Sequence, residues 1–298
     1  MVERPPTPEA APSSPRTGES HLAVRRIAFD FPAGLDVAWT PARPEFACAA
    51  NSISLLMPHM EPYFVRSVAA VLDDLEGEVG SAARAYVGQE AAHHREHRRF
   101  NHLLTTRYPG LGRIERRAAS AYRWLWRTRR SSFNLAFVAA SETIAYSAAR
   151  WSATRRRELF DGADPVAASL FLWHLAEEVE HKSVAWDVFI ACGGTRRRYA
   201  LGAVAALAMV MVFVGAGTTV MLTAERRLLN PMSWLRLAGW AVTFAFELLS
   251  NLVVSMLPGH HPDQFVDPLW FEVWLREHDA ATGTVPLRAP AGEPRERS

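Results

Sequence analysis

Two short stretches carry side chains able to share a metal ion. In Gln89-Glu90-Ala91-Ala92-His93-His94-Arg95-Glu96-His97, helical geometry brings Glu90, His93, His94, His97 and the following Asn101 within about a third of a turn of one another. In Trp173-His174-Leu175-Ala176-Glu177-Glu178-Val179-Glu180-His181, the same geometry puts His174, Glu177, Glu178 and His181 on one face. Each stretch holds a Glu-x-x-His pair, Glu90/His93 and Glu178/His181, so a carboxylate and an imidazole on adjacent turns can reach one ion. Such groups on an inward stripe are costly to bury unless something compensates them, and a cation does so. One copy on an arginine-rich helix reads as a solvated face. Two copies on separate helices read as a site.

A dinuclear carboxylate bundle also needs one Glu from each of two further helices. Glu142 lies in FNLAFVAASETIAYSAARW and is the only acid between Glu115 and Glu158. Glu61 is likewise a single acid in ISLLMPHMEPYFVRSVAAVL. The order Glu, Glu-x-x-His, Glu, Glu-x-x-His is that of di-iron and di-manganese bundles. The expected ligands are Glu61, Glu90, His93, Glu142, Glu178 and His181. His174 stands either as a seventh ligand or as a hydrogen-bond partner of a ligand carboxylate. His97, Glu177 and Asn101 are expected to hold the ligands from outside, with Glu177 also able to replace Glu178. His94 and Glu180 fall to the bundle edge or solvent.

The elements that must position these residues are helical, because apolar residues recur at three and four rather than two. Four main helices are expected: Pro58 to Leu75, Ala82 to Thr106, Phe133 to Leu159, and a fourth running to Cys192. Asp164 and Pro165 give the fourth a clear start as N-cap and first helical residue. A shorter helix is expected over Ser120–Arg130. Residues 46–195 would thus form an all-α, ferritin-like four-helix bundle. Residues 1–45 are expected to be a disordered tail and lead-in, of which 1–20 lack the apolar run of a signal peptide, and 285–298 a second tail.

Beyond the bundle the composition changes. Tyr199 to Ala224 contains no charged residue, and Leu237 to Leu257 contains only Glu247. A spanning helix needs roughly 20 apolar residues, so residues 196–258 read as a membrane hairpin, with a buried pair packed on the bundle as the alternative. Arginine flanks both sides of the first stretch and gives no firm orientation. Both ends would lie on one side, taken as the cytoplasmic one. His260, His261 and Asp263 read as a polar loop or a cap over the site mouth. Residues 259–284 read as an interfacial segment anchored by Trp270 and Trp274.

Composition narrows the function. The 298 residues carry a net charge of only +2, with Lys182 the sole lysine, which argues against a nucleic-acid partner. Cys48 and Cys192 form no CxxC, so neither a disulfide framework nor a thiolate metal site is expected. No GxSxG, phosphate-binding loop or dinucleotide GxGxxG competes.

The strings YVGQEAAHHREHRRFN and WHLAEEVEHKSVAWDVF resemble the family of predicted metal-dependent hydrolases, over about Ile53 to Trp270 and including LPGHHPDQF. That resemblance implies a metal-dependent hydrolase of ferritin-like character. The sequence departs from the family at Met60-Glu61-Pro62, where the family tends to have Gly before the Glu and no proline after it. The spacing His174-x₃-Glu178-x₂-His181 resembles the extra-histidine arrangement of di-iron aryl-amine N-oxygenases. Mixed imidazole and carboxylate suits Fe, Mn or Zn, with two irons expected here. The expected function is O₂-dependent oxidation of an apolar or lipid-like substrate at a membrane. A true hydrolase and a non-catalytic metal or redox buffer are the alternatives, and self-association is left open.

Overall fold

Prolines and an aspartate decide where several helices of this chain begin. The computed structural model describes residues 22–25 and 27–277; the polar tails expected at 1–20 and beyond 285 lie outside them. The described residues are all-α, without a strand among them. Helix α1 spans Pro44–Ala69 and starts on Pro44 rather than on Pro58. Pro58 and Pro62 therefore lie inside it, each removing one N–H from the helical ladder. Burial along almost its whole length holds α1 helical despite them.

Helix α2 (Gly77–Arg107) carries the first Glu-x-x-His pair. Helix α3 (Leu111–Thr128) is the connecting helix, longer than expected. Helix α4 (Ser131–Thr154) ends earlier than expected, and the short α5 (Arg156–Phe160) follows it. Helix α6 (Pro165–Glu180) opens as the sequence implied, with the Asp164 carboxylate accepting from the N–H groups of Val166 and Ala167 at 2.9 and 3.0 Å. The fourth helix is not continuous to Cys192. Residues 181–183 form a turn, and α7 resumes at Val184–Ala191.

The buried apolar side chains form two clusters, and the chain passes between them at the level of the Glu and His residues. In α1 the change falls between Leu55 and Met57, in α2 between Tyr86 and Ala92, and in α4 between Ile144 and Tyr146. The break after α6 does the same, since Val179 belongs to one cluster and Val184 to the other. A polar layer thus crosses the interior.

Helices α8 (Arg196–Ala224) and α9 (Pro231–Met256) are the two apolar stretches. Each lies against α4 and α1, and α4 is the main neighbour of both. Small residues permit the approach: a Cβ on Gly202 would stand 2.5 Å from the Ala136 carbonyl oxygen, and one on Gly217 would stand 2.7 Å from Ser52 Oγ. One stripe of each helix is buried and the opposite side is exposed. Each helix therefore packs one stripe on the bundle, leaves its other side exposed, and is long and apolar enough to cross a membrane. In helix α10 (Leu269–Glu277) the two tryptophans expected as interfacial anchors turn inward instead. Trp270 and Trp274 are buried in the core beside α6, because the bundle itself supplies apolar surface for them.

Candidate metal centre

Four helices bring seven acceptor-bearing side chains to the polar layer. Glu61 from α1, His93 from α2 and His174 from α6 form one group. Glu90 from α2, Glu142 from α4, and Glu178 and His181 from the end of α6 form the other. Within each group the nearest atoms lie no more than 4.8 Å apart, and all seven residues are buried.

Two carboxylates connect the groups. Glu178 has Oε1 2.7 Å from His174 Nε2 and Oε2 3.2 Å from His181 Nε2. Glu90 Oε1 lies 3.6 Å from His93 Nδ1 and 3.5 Å from His181 Nε2. Glu61 Oε1 is 3.7 Å from His174 Nε2, and Glu142 Oε2 is 3.3 Å from His181 Nε2. Glu178 rather than Glu177 reaches both groups. Glu177 instead turns its Oε2 to His93 Nε2 at 2.8 Å and its Oε1 to Arg25 at 3.0 Å.

The outer contacts of two histidines fix which nitrogen faces inward. Glu177, paired with Arg25, accepts from His93, so the outer Nε2 of His93 bears its proton and Nδ1 faces Glu90. Gln89 donates through Nε2 to Glu180 and to the Ala23 carbonyl, so its Oε1 must accept the Nδ1–H of His181 at 3.0 Å. His181 therefore turns Nε2 toward Glu90, Glu142 and Glu178. These are the outer hydrogen bonds that orient metal-binding imidazoles.

Electrostatics make the layer unfavourable on its own. Burial, then the charge of Glu90, pushes the Glu61 carboxyl well above its ordinary range. Burial and Glu178 push Glu142 up to about 8. Burial opposes charge on His93 and His181, yet the carboxylates around them raise both well above an ordinary imidazole. Glu178 is held well below the ordinary carboxylate range by His181 and His174, against the effect of burial.

Both oxygens of Glu61, both of Glu90, Glu142 Oε2 and His93 Nδ1 are buried without a hydrogen-bond partner. Tyr86 donates to Glu142 Oε1 at 2.7 Å, leaving Oε2 turned inward. Converging buried carboxylate and imidazole atoms left without hydrogen-bond partners are what a bound cation would satisfy, so the residues fit metal ions.

The profile of the family described as predicted metal-dependent hydrolase matches residues 23–265. The chain belongs to this family. No curated protein and no solved structure matches it. The span shared with the predicted metal-dependent hydrolases takes in Arg25, both groups of the centre and both apolar helices, and stops short of α10.

In this family member the structure brings together every residue named from the sequence as a ligand, His174 included. His97 and Asn101 lie behind His174, as Glu177 lies behind His93. Glu180 does not face solvent: it bonds Arg25 at 2.6 and 2.8 Å and Gln89 at 2.7 Å. His94 is half-buried and bonds the Glu90 carbonyl. His261 pairs with Asp187 at 2.7 Å and His260 with Gln264 at 3.0 Å, so neither joins the centre. Sequence reasoning missed Arg25, Ser54, Tyr86 and Gln89. Gln89 adjoins Glu90 and Ser54 stands four residues before Pro58, but Arg25 is distant in sequence and carries no local signal.

Proposed function

We propose that this predicted metal-dependent hydrolase is a dinuclear enzyme, with α1, α2, α4 and α6 in a ferritin-like arrangement, that carries out O₂-dependent oxidation of an apolar or lipid-like substrate. Glu61, His93 and His174 would hold one ion and Glu142 and His181 the other, with Glu90 and Glu178 shared. The observation that carries the two-ion reading is the divided Glu178 carboxylate, one oxygen beside a histidine of each group.

The donor set of carboxylates and imidazoles suits iron, manganese or zinc. Its enclosure among helices favours iron over the exposed strand-end loops in which two-metal hydrolases commonly work. When bound, an iron pair would supply the reduction of dioxygen. The chain's own residues orient the acceptors: Tyr86 on Glu142, Glu177 on His93 and Gln89 on His181. Burial of the whole layer keeps bulk water away.

The family's description favours hydrolysis as the second reading, in which the metals would activate water. Metal analysis of the purified full-length protein should find roughly two ions per chain. Iron, O₂ uptake by the reduced protein and a visible charge-transfer band are expected. Zinc or manganese with ester turnover and no O₂ uptake would instead establish the hydrolase, and metal without turnover a metal or redox buffer. A folded sample without metal would overturn the centre itself.

The exposed sides of α8 and α9 support attachment to a membrane. Their most apolar windows have mean hydropathies of 2.3 and 1.6, with only 22% and 17% of the residues buried. Leu201, Met211, Val212, Leu235 and Phe246 all face outward. A groove beside α8 is walled by Arg113, Arg116 and Arg117 of α3, which complements anionic headgroups. Retention on membranes through carbonate extraction is expected; release would refute attachment. With the metal layer on the cytoplasmic side, a membrane-impermeant thiol reagent should leave half-buried Cys192 unlabelled in intact cells and label it after permeabilisation.

A further inference from the structure

A proline in α1 governs a hydrogen-bond chain that ends at the candidate metal centre. In an α-helix the carbonyl of residue 54 bonds the N–H of residue 58. Pro58 has no N–H, so the Ser54 carbonyl is left open within a buried helix. Asn101 of α2 fills it, with Nδ2 2.7 Å from the Ser54 oxygen.

That contact fixes the rest of the chain. The Asn101 amide has its NH₂ on the carbonyl, so its Oδ1 is an acceptor and takes the Ser54 hydroxyl at 2.7 Å. A hydroxyl has one hydrogen, and this one is used. Ser54 Oγ must therefore accept from His97 Nδ1, 2.8 Å away. No carboxylate bonds His97 to support a second proton, so its Nε2 is an acceptor, and His174 Nδ1 at 2.6 Å must donate to it. With Nδ1 committed to His97, the His174 atom beside Glu178 and Glu61 is Nε2, and the proton it shares with Glu178 at 2.7 Å is the one a bound cation would displace.

We propose that Pro58, Asn101, Ser54 and His97 form a directed relay that sets the tautomer of His174 and so makes it a ligand through Nε2, with Asn101 and Ser54 as positioning residues. The inference rests on the dinuclear reading for its last step, but the direction of the relay can be tested without metal. It decides between the two roles that the sequence left open for His174.

The test is long-range ¹H–¹⁵N correlation on full-length protein with ¹⁵N-labelled histidine, metal-free and zinc-loaded. The expected result is His97 protonated on Nδ1 in both samples, and His174 protonated on Nδ1 with Nε2 on zinc. In Asn101→Leu the Ser54 hydroxyl is free to turn toward His97, and the His97 proton should move to Nε2. Zinc binding at one of the two positions should then weaken by about 10–100-fold. Ser54→Thr keeps the hydroxyl and should retain the wild-type ring signals, whereas Ser54→Ala should not. Pro58→Ala restores the competing N–H and gives a second route to the same change where Asn101→Leu does not fold. A wild-type His97 protonated on Nε2 overturns the relay, as does zinc bound with His174 protonated on Nε2. Correct His97 protonation with no zinc bound would refute the dinuclear reading and leave the direction of the relay intact.

Discussion

The carboxylate of Glu45, buried in the first turn of α1, meets the guanidinium of Arg236 in α9 at 3.2 Å. The same carboxylate accepts from Arg227 at 3.3 Å and from the Ser233 hydroxyl at 2.6 Å. One buried acid thereby fastens the α8–α9 connection to the start of the bundle, and against the upward effect of burial Ser233 and the arginines leave it below the ordinary carboxylate range. Glu45→Gln should loosen this connection. Limited trypsin digestion is expected to cut faster after Arg226 and Arg227, and the protein should lose about 1–3 kcal/mol of stability, since the arginine partners are partly exposed. Unchanged digestion would remove Glu45 from this role.

Contact between α8 and α4 depends on Gly202. Alanine there would place its Cβ 2.5 Å from a backbone oxygen that cannot swing aside. Gly202→Ala should cost about 1–3 kcal/mol. Gly215→Ala in the same helix, with nothing within 4 Å of the added Cβ, is the control and should be close to neutral. Thermal melts of the two variants give the comparison, and equal melting would contradict close docking at residue 202.

Arg25 should matter to metal binding although it touches no candidate ligand among these histidines. Its guanidinium charges Glu177 into a fixed acceptor for the outer N–H of His93. Arg25→Met should weaken metal by about 10–100-fold, read by titration against a competing chelator. The loss should be much smaller in an Arg25→Met, Glu177→Gln double variant, because the unpaired buried charge is then gone. Equal losses in both would mean that Arg25 acts elsewhere.

Metal binding should release protons. Glu142 titrates near 8, and His93 and His181 are held above the ordinary imidazole range, so all three carry protons at neutral pH that a cation must displace. Calorimetry in two buffers of unlike ionisation enthalpy should show net release. In metal-free protein Glu142 binds its proton more tightly folded than unfolded, since its carboxyl is raised from 4.5 to about 8. Its contribution to stability is therefore full below about pH 4.5 and is lost as the pH rises through about 8. Glu61 is raised in the same direction. Metal-free melting temperatures should fall across that window, and metal should flatten the decline.

The candidate ligand set was legible because Glu-x-x-His spacing is a local, helix-periodic signal, and because Glu61 and Glu142 are lone acids in apolar stretches. The tryptophans of α10 misled because an amphipathic helix is apolar on one side whether it meets lipid or protein; only tertiary packing separates the cases. Pro58 misled in another way. Proline is common at helix starts, and nothing local reveals that Asn101, far along the chain, satisfies the carbonyl it leaves open. The break after His181 was likewise hidden, since Lys182, Ser183 and Val184 contain neither glycine nor proline.

The bond from Arg25 to Glu177 joins residues 152 positions apart. A chain made from its N-terminus carries Arg25 and His93 long before Glu177 exists, so the outer anchor of His93 is among the last contacts completed. Until α6 emerges, the half of the centre containing Glu61 and His93 has no Glu178 and no His174. The order of synthesis thus delays any metallation: the candidate ligand set is complete only once His181, residue 181 of 298, has emerged, when the final ligands and the closing arginine contact arrive together.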